Sequence, residues 1–204
     1  MKKIALLMLD FLNEIVHPRG VYAQMGYGQQ AQEHDVVKHA ATALEIARAS
    51  HIPVVHVVVG FSENYVECPV GSDVFDIARR NQLLRFNTWS TEIVAELAPL
   101  PSENVIHKHR VDPFYQTSLE LTLRSLAVDT VILAGISTEF VVLATAMSAH
   151  DRGFNVLVLK DAVSAVSEVK HQAALEVISS IATLITTEKL STTTGSEKSQ
   201  GAIK

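Results

Sequence analysis

Two segments of the chain place ionisable residues directly after apolar runs. Asp10 follows the run Ile4–Leu9, and Lys108 ends a shorter run that begins at residue 105. A carboxylate that follows six apolar residues is partly desolvated, which raises its pKa, and a nearby ammonium group lowers it again. These residue types predict an acid–base pair that transfers protons. A structural ion pair, or an aspartate that caps the following loop, is the alternative.

A third segment runs from an apolar stretch, residues 131–134, through Gly135 into a helical pattern. Position 141 falls in the first helical turn, where backbone N–H groups and the helix dipole favour a thiolate. The residue there is Val141, which has no nucleophilic atom, so covalent catalysis through this position is excluded. Glu139 lies in the same turn. We interpret it as a favourable charge at the helix start, or alternatively as a base that activates water in the pocket.

These three segments resemble, in order and spacing, the isochorismatase-like or cysteine hydrolase superfamily, over residues 3–188. The family's Gly-x-x-Thr-x-x-Cys-Val-x-x-Thr pattern has Val141 in place of the cysteine here, and four other positions match: Gly135, Thr138, Val142 and Thr145. The resemblance implies that Asp10, Lys108 and Val141 occupy the positions of the family's aspartate–lysine–cysteine triad.

The resemblance also implies the rest of the site. The Ile136–Ser137 peptide bond is expected to be cis, and the N–H groups near Ser137 and Val141 are expected to form an oxyanion hole. Aromatic side chains are expected to line the pocket, and the candidates are Phe11, Phe86, Trp89 and Phe114. Each of these four is equally consistent with a place in the core.

Without a thiol at position 141, we expect no thiol-dependent amide hydrolysis. Some isochorismatases resemble this chain in lacking the cysteine, and in them an aspartic acid protonates a vinyl ether before water adds. We therefore predict a hydrolase of a small metabolite with Asp10 as general acid/base and Lys108 as its electrostatic partner, and isochorismate-type vinyl ether hydrolysis is one form of this chemistry. The alternatives are a catalytically silent metabolite-binding scaffold and an amidohydrolase that activates water directly.

Continuous apolar runs predict strands buried on both faces of a parallel sheet, and helical patterns separate them. The predicted strands are Ile4–Leu9, Val54–Val59, 105–107, 131–134, 156–159 and 182–185, and the predicted helices are 31–50, 91–97, 118–126, 138–152 and 169–181. The alternation predicts one domain, residues 1–190, with a three-layer α/β/α sandwich and a six-stranded, mostly parallel, Rossmann-like sheet. The long segments 11–30 and 60–87 follow strands, so we expect them at the carboxyl edge, where ligands bind.

Composition narrows the possible partners. A net charge of -5 disfavours nucleic acid, and the single cysteine, Cys68, permits no intrachain disulfide, which fits a reducing cytoplasm. The first apolar run stops at an aspartate, and no run approaches a membrane span. We expect a small-molecule substrate, no metal or cofactor, a homo-oligomer as the family resemblance implies, and a disordered polar tail at 191–204.

Overall fold

A computed structural model describes residues 3–190, so the tail predicted at 191–204 lies outside the described residues. One sheet contains the six strands β1 (Ile4–Leu9), β2 (Val54–Val59), β3 (Asn104–Lys108), β4 (Thr130–Ile136), β5 (Asn155–Ser164) and β6 (Thr183–Ile185). Its strand order is β3-β2-β1-β4-β5-β6, and every neighbouring pair is parallel. The predicted α/β fold is confirmed, and the sheet is parallel throughout rather than mostly parallel.

Helices cover both faces of the sheet. They are α1 (Asn13–Val16), α2 (Gly28–Glu33), α3 (Val36–Ala49), α4 (Asp73–Asn81), α5 (Leu119–Ser125), α6 (Leu143–Asp151) and α7 (Glu168–Ser179). Side chains alternate along a strand, so Leu7 and Leu9 pack with α5, α6 and α7, whereas Leu6 and Met8 pack with α2 and α3. The three layers follow from this alternation. Within residues 3–190, no helix is long and apolar enough to cross a membrane.

Three helical predictions differ from the structure in detail. The predicted helix 31–50 is two helices, because Asp35 between α2 and α3 adopts a left-handed conformation with φ 51°. The predicted helix 91–97 is replaced by two 3₁₀ turns, Trp89–Thr91 and Ala95–Leu97. The predicted helix 138–152 begins as a π-helical turn, Thr138–Val142, and continues as α6. A helical period in the sequence continues across such local breaks, so the period alone does not reveal them.

The long connection after β2 is a packed structure rather than an open loop. It contains α4 and most of a third apolar cluster, whose members are Leu12, Val58, Val59, Phe61, Tyr65, Cys68, Phe75, Ala78 and Leu84. Because Val58 and Val59 end β2, the cluster fastens this connection over the carboxyl edge of the sheet. Cys68 is buried in it, with its Sγ 3.7 Å from the carbonyl oxygen of Phe75.

The centre of the sheet is the topological switch point. β1 lies between β2 and β4, and the strand order runs in opposite directions on its two sides. In open α/β sheets the crevice for ligands forms at this point, beyond the carboxyl ends of the strands. Gly135 lets β4 approach β1 there, because a Cβ atom on it would lie 2.5 Å from the Cβ of Leu9.

Candidate active site

Asp10 and Lys108 meet at the carboxyl edge although their strands are not neighbours. β2 lies between β1 and β3, and its last residue, Val59, is in register with Lys108. The lysine side chain crosses the end of β2, and its Nζ is 2.8 Å from Oδ2 of Asp10. The backbone N–H of Val59 donates to Oδ1 at 2.9 Å. β2, the strand between β1 and β3, thus donates a hydrogen bond to Asp10, and the ion pair forms across its end.

Both members of the pair are buried, with side-chain exposures of 4% for Asp10 and 2% for Lys108. Desolvation raises the pKa of the Asp10 carboxyl, although the Lys108 charge, its hydrogen bond and the Val59 N–H act in the opposite direction. Asp10 also has a left-handed backbone with φ 55°, which aspartate tolerates better than most residues. A raised pKa makes the protonated form more accessible than in an ordinary aspartate, which suits proton transfer.

All three hydrogens of the Lys108 ammonium have partners in the structure. Besides Asp10, the Nζ atom donates to the carbonyl oxygen of Arg110 at 3.0 Å and to that of Val111 at 3.2 Å. An ammonium group has three donors, so none is left for a ligand. Lys108 is therefore placed to hold and charge-balance Asp10 rather than to bind a substrate directly.

A cavity of about 70 Å³ opens beside the pair. Strand ends and the turn after β4 contribute Asp10, Val59, Lys108, Ile136, Ser137, Phe140 and Val141. The connections after the strands, including their helices α1 and α4, contribute Ile15, Tyr22, Tyr27, Val74, Phe75, Leu84 and Val111. Five residues singled out from the sequence thus share one cavity: Asp10, Lys108, Ile136, Ser137 and Val141. The walls are mainly apolar, so the carboxyl and the ammonium group face a space with few competing polar groups.

The turn after β4 forms the wall where a cysteine would lie. The Ile136–Ser137 peptide bond is cis, as the family resemblance implies. Val141 is buried in the π-helical turn that follows, and its carbonyl oxygen accepts a hydrogen bond from Oγ1 of Thr145. A branched alkyl group therefore occupies the wall next to the acid–base pair, and this position provides no nucleophile.

Within the described residues, none of the four aromatic candidates lines this cavity. Phe11 and Phe114 lie in the two cores on either side of the sheet. The Phe86 ring packs edge-on against His107 with centroids 4.8 Å apart, and Trp89 lies under the guanidinium group of Arg19. The structure thus places all four in packing roles.

Other aromatic residues line the cavity instead: Tyr22, Tyr27, Phe75 and Phe140. The Tyr22 hydroxyl donates to the carbonyl oxygen of Val74 at 3.0 Å, and burial raises the pKa of Tyr22. Burial also raises the pKa of Tyr27 to about 12. Both tyrosines belong to the segment 11–30 that the sequence places at the carboxyl edge, but no pattern there distinguishes them from the other loop residues.

The Glu139 side chain is hydrogen-bonded to the segment that follows β5. Its Oε1 accepts the backbone N–H of Val166 at 3.2 Å, and the residue is not part of the cavity wall. The other oxygen, Oε2, is buried without a hydrogen-bond partner among the described residues. This geometry favours the structural interpretation of Glu139 over a water-activating one.

The fold and the site define the class of protein: a doubly wound α/β protein with a buried aspartate–lysine ion pair at the topological switch point. The isochorismatase domain model matches residues 4–189. The chain therefore belongs to the isochorismatase family of hydrolases.

Individual relatives agree with this assignment. The chain is 33% identical over 183 residues to the ureidoacrylate amidohydrolase RutB of Methylobacterium radiotolerans, a match that covers 83% of this chain and 70% of the relative. It is 34% identical over 177 residues to the uncharacterized isochorismatase family protein YecD of Escherichia coli O157:H7, covering 85% and 86%. A crystal structure of a cysteine hydrolase from Pseudomonas syringae pv. phaseolicola 1448A superposes with a TM-score of 0.85 at 21% identity, covering 95% of this chain and 93% of that one.

Proposed function

We propose that the protein hydrolyses a small molecule by direct attack of water, with Asp10 as general acid/base and no covalent enzyme intermediate. One observation carries this proposal: the Asp10–Lys108 pair, with 2.8 Å between Nζ and Oδ2, opens to a cavity in which residue 141 is valine. Burial raises the pKa of the carboxyl, which makes its protonated form more accessible for proton transfer. Position 141 offers no nucleophile, and in the proposed mechanism water supplies the attacking oxygen.

The bond we favour is the C–N bond of an amide or ureide, because a relative at 33% identity is named an amidohydrolase. The Asp10 carboxylate accepts a proton from water as the water oxygen bonds to the carbonyl carbon. The N–H groups at Ser137 and Val141 stabilise the resulting oxyanion. Asp10 then donates its proton to the leaving nitrogen as the C–N bond breaks, which yields an acid and an amine. Lys108 keeps the carboxyl in place and balances its charge.

Vinyl ether hydrolysis is a second candidate, favoured by the raised pKa of Asp10. Protonated Asp10 would donate to the alkene carbon, water would add to the oxocarbenium ion, and the hemiketal would collapse to a ketone and an alcohol. A cavity of about 70 Å³ is small for isochorismate, which carries one carboxylate on its ring and a second on its enolpyruvyl ether group. A smaller vinyl ether fits this chemistry better than isochorismate itself.

A turnover screen tests the proposal. The wild type and the Asp10→Asn variant are compared on small amides, ureides, esters and vinyl ethers. We expect wild-type turnover and a loss of at least about 10²-fold in the variant, the usual contribution of a positioned acid or base. Cys68→Ser is the matched control, because Cys68 is buried in the third cluster and outside the cavity wall. Binding without turnover would instead support the catalytically silent scaffold.

Isotope labelling separates a base from a nucleophile. In a single turnover with excess enzyme in ¹⁸O-water, direct attack puts the label into the product at once. If Asp10 attacked the substrate itself, the first product would carry unlabelled oxygen from the carboxylate. Unlabelled first product would refute the water mechanism.

We also propose that the protein is a homo-oligomer in the cytoplasm. The single cysteine fits a reducing compartment, and the family resemblance supports association between subunits. Sedimentation equilibrium of the purified chain checks the subunit number, and a monomer across the accessible concentration range would contradict this part of the proposal.

A further inference from the structure

The charge inside the cavity is balanced before any substrate enters. Of the fourteen residues that line it in the described part of the chain, Asp10 is the one acid and Lys108 the one base. The two are paired, and the remaining ammonium donors are taken by the carbonyl oxygens of Arg110 and Val111. A substrate carboxylate would therefore meet a second carboxylate, with uncharged donors such as the N–H groups at Ser137 and Val141 but no available cation. Burying a charge without a counter-charge is strongly unfavourable.

The apolar wall of the cavity also favours an uncharged substrate, whose main part is apolar. Branched aliphatic side chains, including Val59, Ile136 and Val141, face the pair across the cavity, together with the rings of Phe75 and Phe140. Such walls stabilise an apolar group by burial and gain nothing from a charged one. The polar atoms near the pair suit a neutral carbonyl or amide at one end of the substrate only.

The volume limits the size. A site for one water needs about 10–15 Å³ of such space, so the part of the cavity beside the pair, about 70 Å³, accommodates on the order of six non-hydrogen atoms, and the cavity opens to solvent beyond it. A branched four-carbon amide reaches this size, and a substituted ring exceeds it.

We propose that this site selects small uncharged substrates, of the size of a branched four-carbon amide, and rejects the corresponding carboxylates. The selectivity concerns the same cavity as the proposed hydrolysis and rests on it for the reaction, but it is measured by binding alone. It assigns the specificity to the charge balance of Asp10 and Lys108, with Val141 and its apolar neighbours setting the shape.

Isobutyramide and isobutyrate form a matched pair of probes, since they have the same shape and differ in charge. Binding is measured by ligand-observed NMR and by thermal shift at about pH 7.5, where the acid is ionised. For the wild type we expect a Kd for the amide at least about tenfold lower than for the carboxylate. Benzamide serves as the size probe and should bind more weakly than isobutyramide.

The Asp10→Asn variant tests the cause of the selectivity. Removing the Asp10 charge leaves the Lys108 ammonium uncompensated, so the preference should reverse toward isobutyrate. Glu45→Gln is the control, because it removes one negative charge from an exposed position on α3 and should leave the wild-type preference intact. The wild-type comparison decides the matter by itself if the Asp10 variant does not fold.

Equal or tighter binding of isobutyrate to the wild type would overturn the inference, and so would undetectable binding of isobutyramide at high millimolar concentration. These outcomes differ from a failure of the proposed function. Selective binding of the amide without turnover would refute hydrolysis and sustain the selectivity. Turnover of carboxylate substrates would do the reverse.

Discussion

Replacing Lys108 with methionine removes the ammonium group but keeps most of the aliphatic side chain. Asp10 then remains buried, with the backbone N–H of Val59 as its remaining hydrogen-bond donor among the contacts described above. A buried carboxylate without a counter-charge takes up a proton instead of staying ionised. We therefore expect Asp10 to be neutral in the folded Lys108→Met variant at neutral pH.

The energetic penalty follows from the ordinary pKa of this carboxyl, 3.8. At pH 7 the carboxyl is ionised in the unfolded chain and must take up a proton on folding, at a pH about 3.2 units above its ordinary pKa. At about 1.36 kcal/mol per unit, this protonation costs at most about 4.4 kcal/mol of unfolding free energy. The variant no longer buries the Lys108 ammonium group, which offsets part of this penalty. We therefore expect the variant to lose about 3–4 kcal/mol of unfolding free energy. A raised folded-state pKa confers stability at low pH that is lost as pH rises. The deficit of the variant should therefore shrink by about 1.4 kcal/mol per pH unit as pH falls toward 4.

Urea unfolding at pH 7 and pH 5 measures both the size and the slope of this deficit. The wild type, Lys108→Met and the double variant Asp10→Asn/Lys108→Met are compared, since the double variant lacks the titrating carboxyl. Its deficit at pH 7 should be smaller, and its unfolding free energy should lack the part of the pH dependence that the Asp10 carboxyl confers. A loss below about 1 kcal/mol at pH 7 for the single variant, or one that does not change with pH, would show that Asp10 is not desolvated as described.

Two further substitutions test the frame around the site. Gly135→Ala places a Cβ 2.5 Å from the Cβ of Leu9 and 2.6 Å from its carbonyl oxygen. We therefore expect a loss of at least about 2 kcal/mol in unfolding free energy. A stability close to that of the wild type would refute the close approach of the two strands. Desolvation acts to raise the pKa of Glu103, but hydrogen bonds led by Arg48 prevail and lower it from 4.5 to about 2. This carboxylate therefore confers stability above pH 4.5 that is lost as pH falls toward 2, so Glu103→Gln should flatten the pH dependence of urea unfolding in that range, whereas an unchanged slope would contradict it.

The sheet could be predicted from the sequence because its central strands are buried on both faces. Ile4–Leu9 and Val54–Val59 are continuous apolar runs, and the structure begins and ends these strands at the predicted residues. β5 is longer than its apolar run, since Lys160 and Asp161 continue the strand. Both oxygens of Asp161 accept the backbone N–H of Thr187, a partner 26 residues away that a local pattern does not reveal.

Only those site residues that lie at strand ends could be predicted from the sequence. Asp10 and Lys108 follow apolar runs, and parallel strands deliver their carboxyl ends to one edge. The aromatic residues that line the cavity depend on the paths of loops, and loops have no sequence periodicity from which their paths could be predicted. Tyr22 and Tyr27 line the cavity because the segment after β1 folds back over it, whereas Phe11 is buried in the core between the sheet and α3.

In the proposed mechanism, valine at position 141 narrows the chemistry of the Asp10–Lys108 pair rather than disabling it. With a thiol present, the carboxylate would exchange its proton with sulfur, whereas here its partners are reduced to water and substrate. The raised pKa values of Tyr22 and Tyr27 keep both hydroxyls neutral at physiological pH, so they act as hydrogen-bonding groups and not as bases. In the proposed mechanism, proton transfer in the described cavity therefore falls to Asp10.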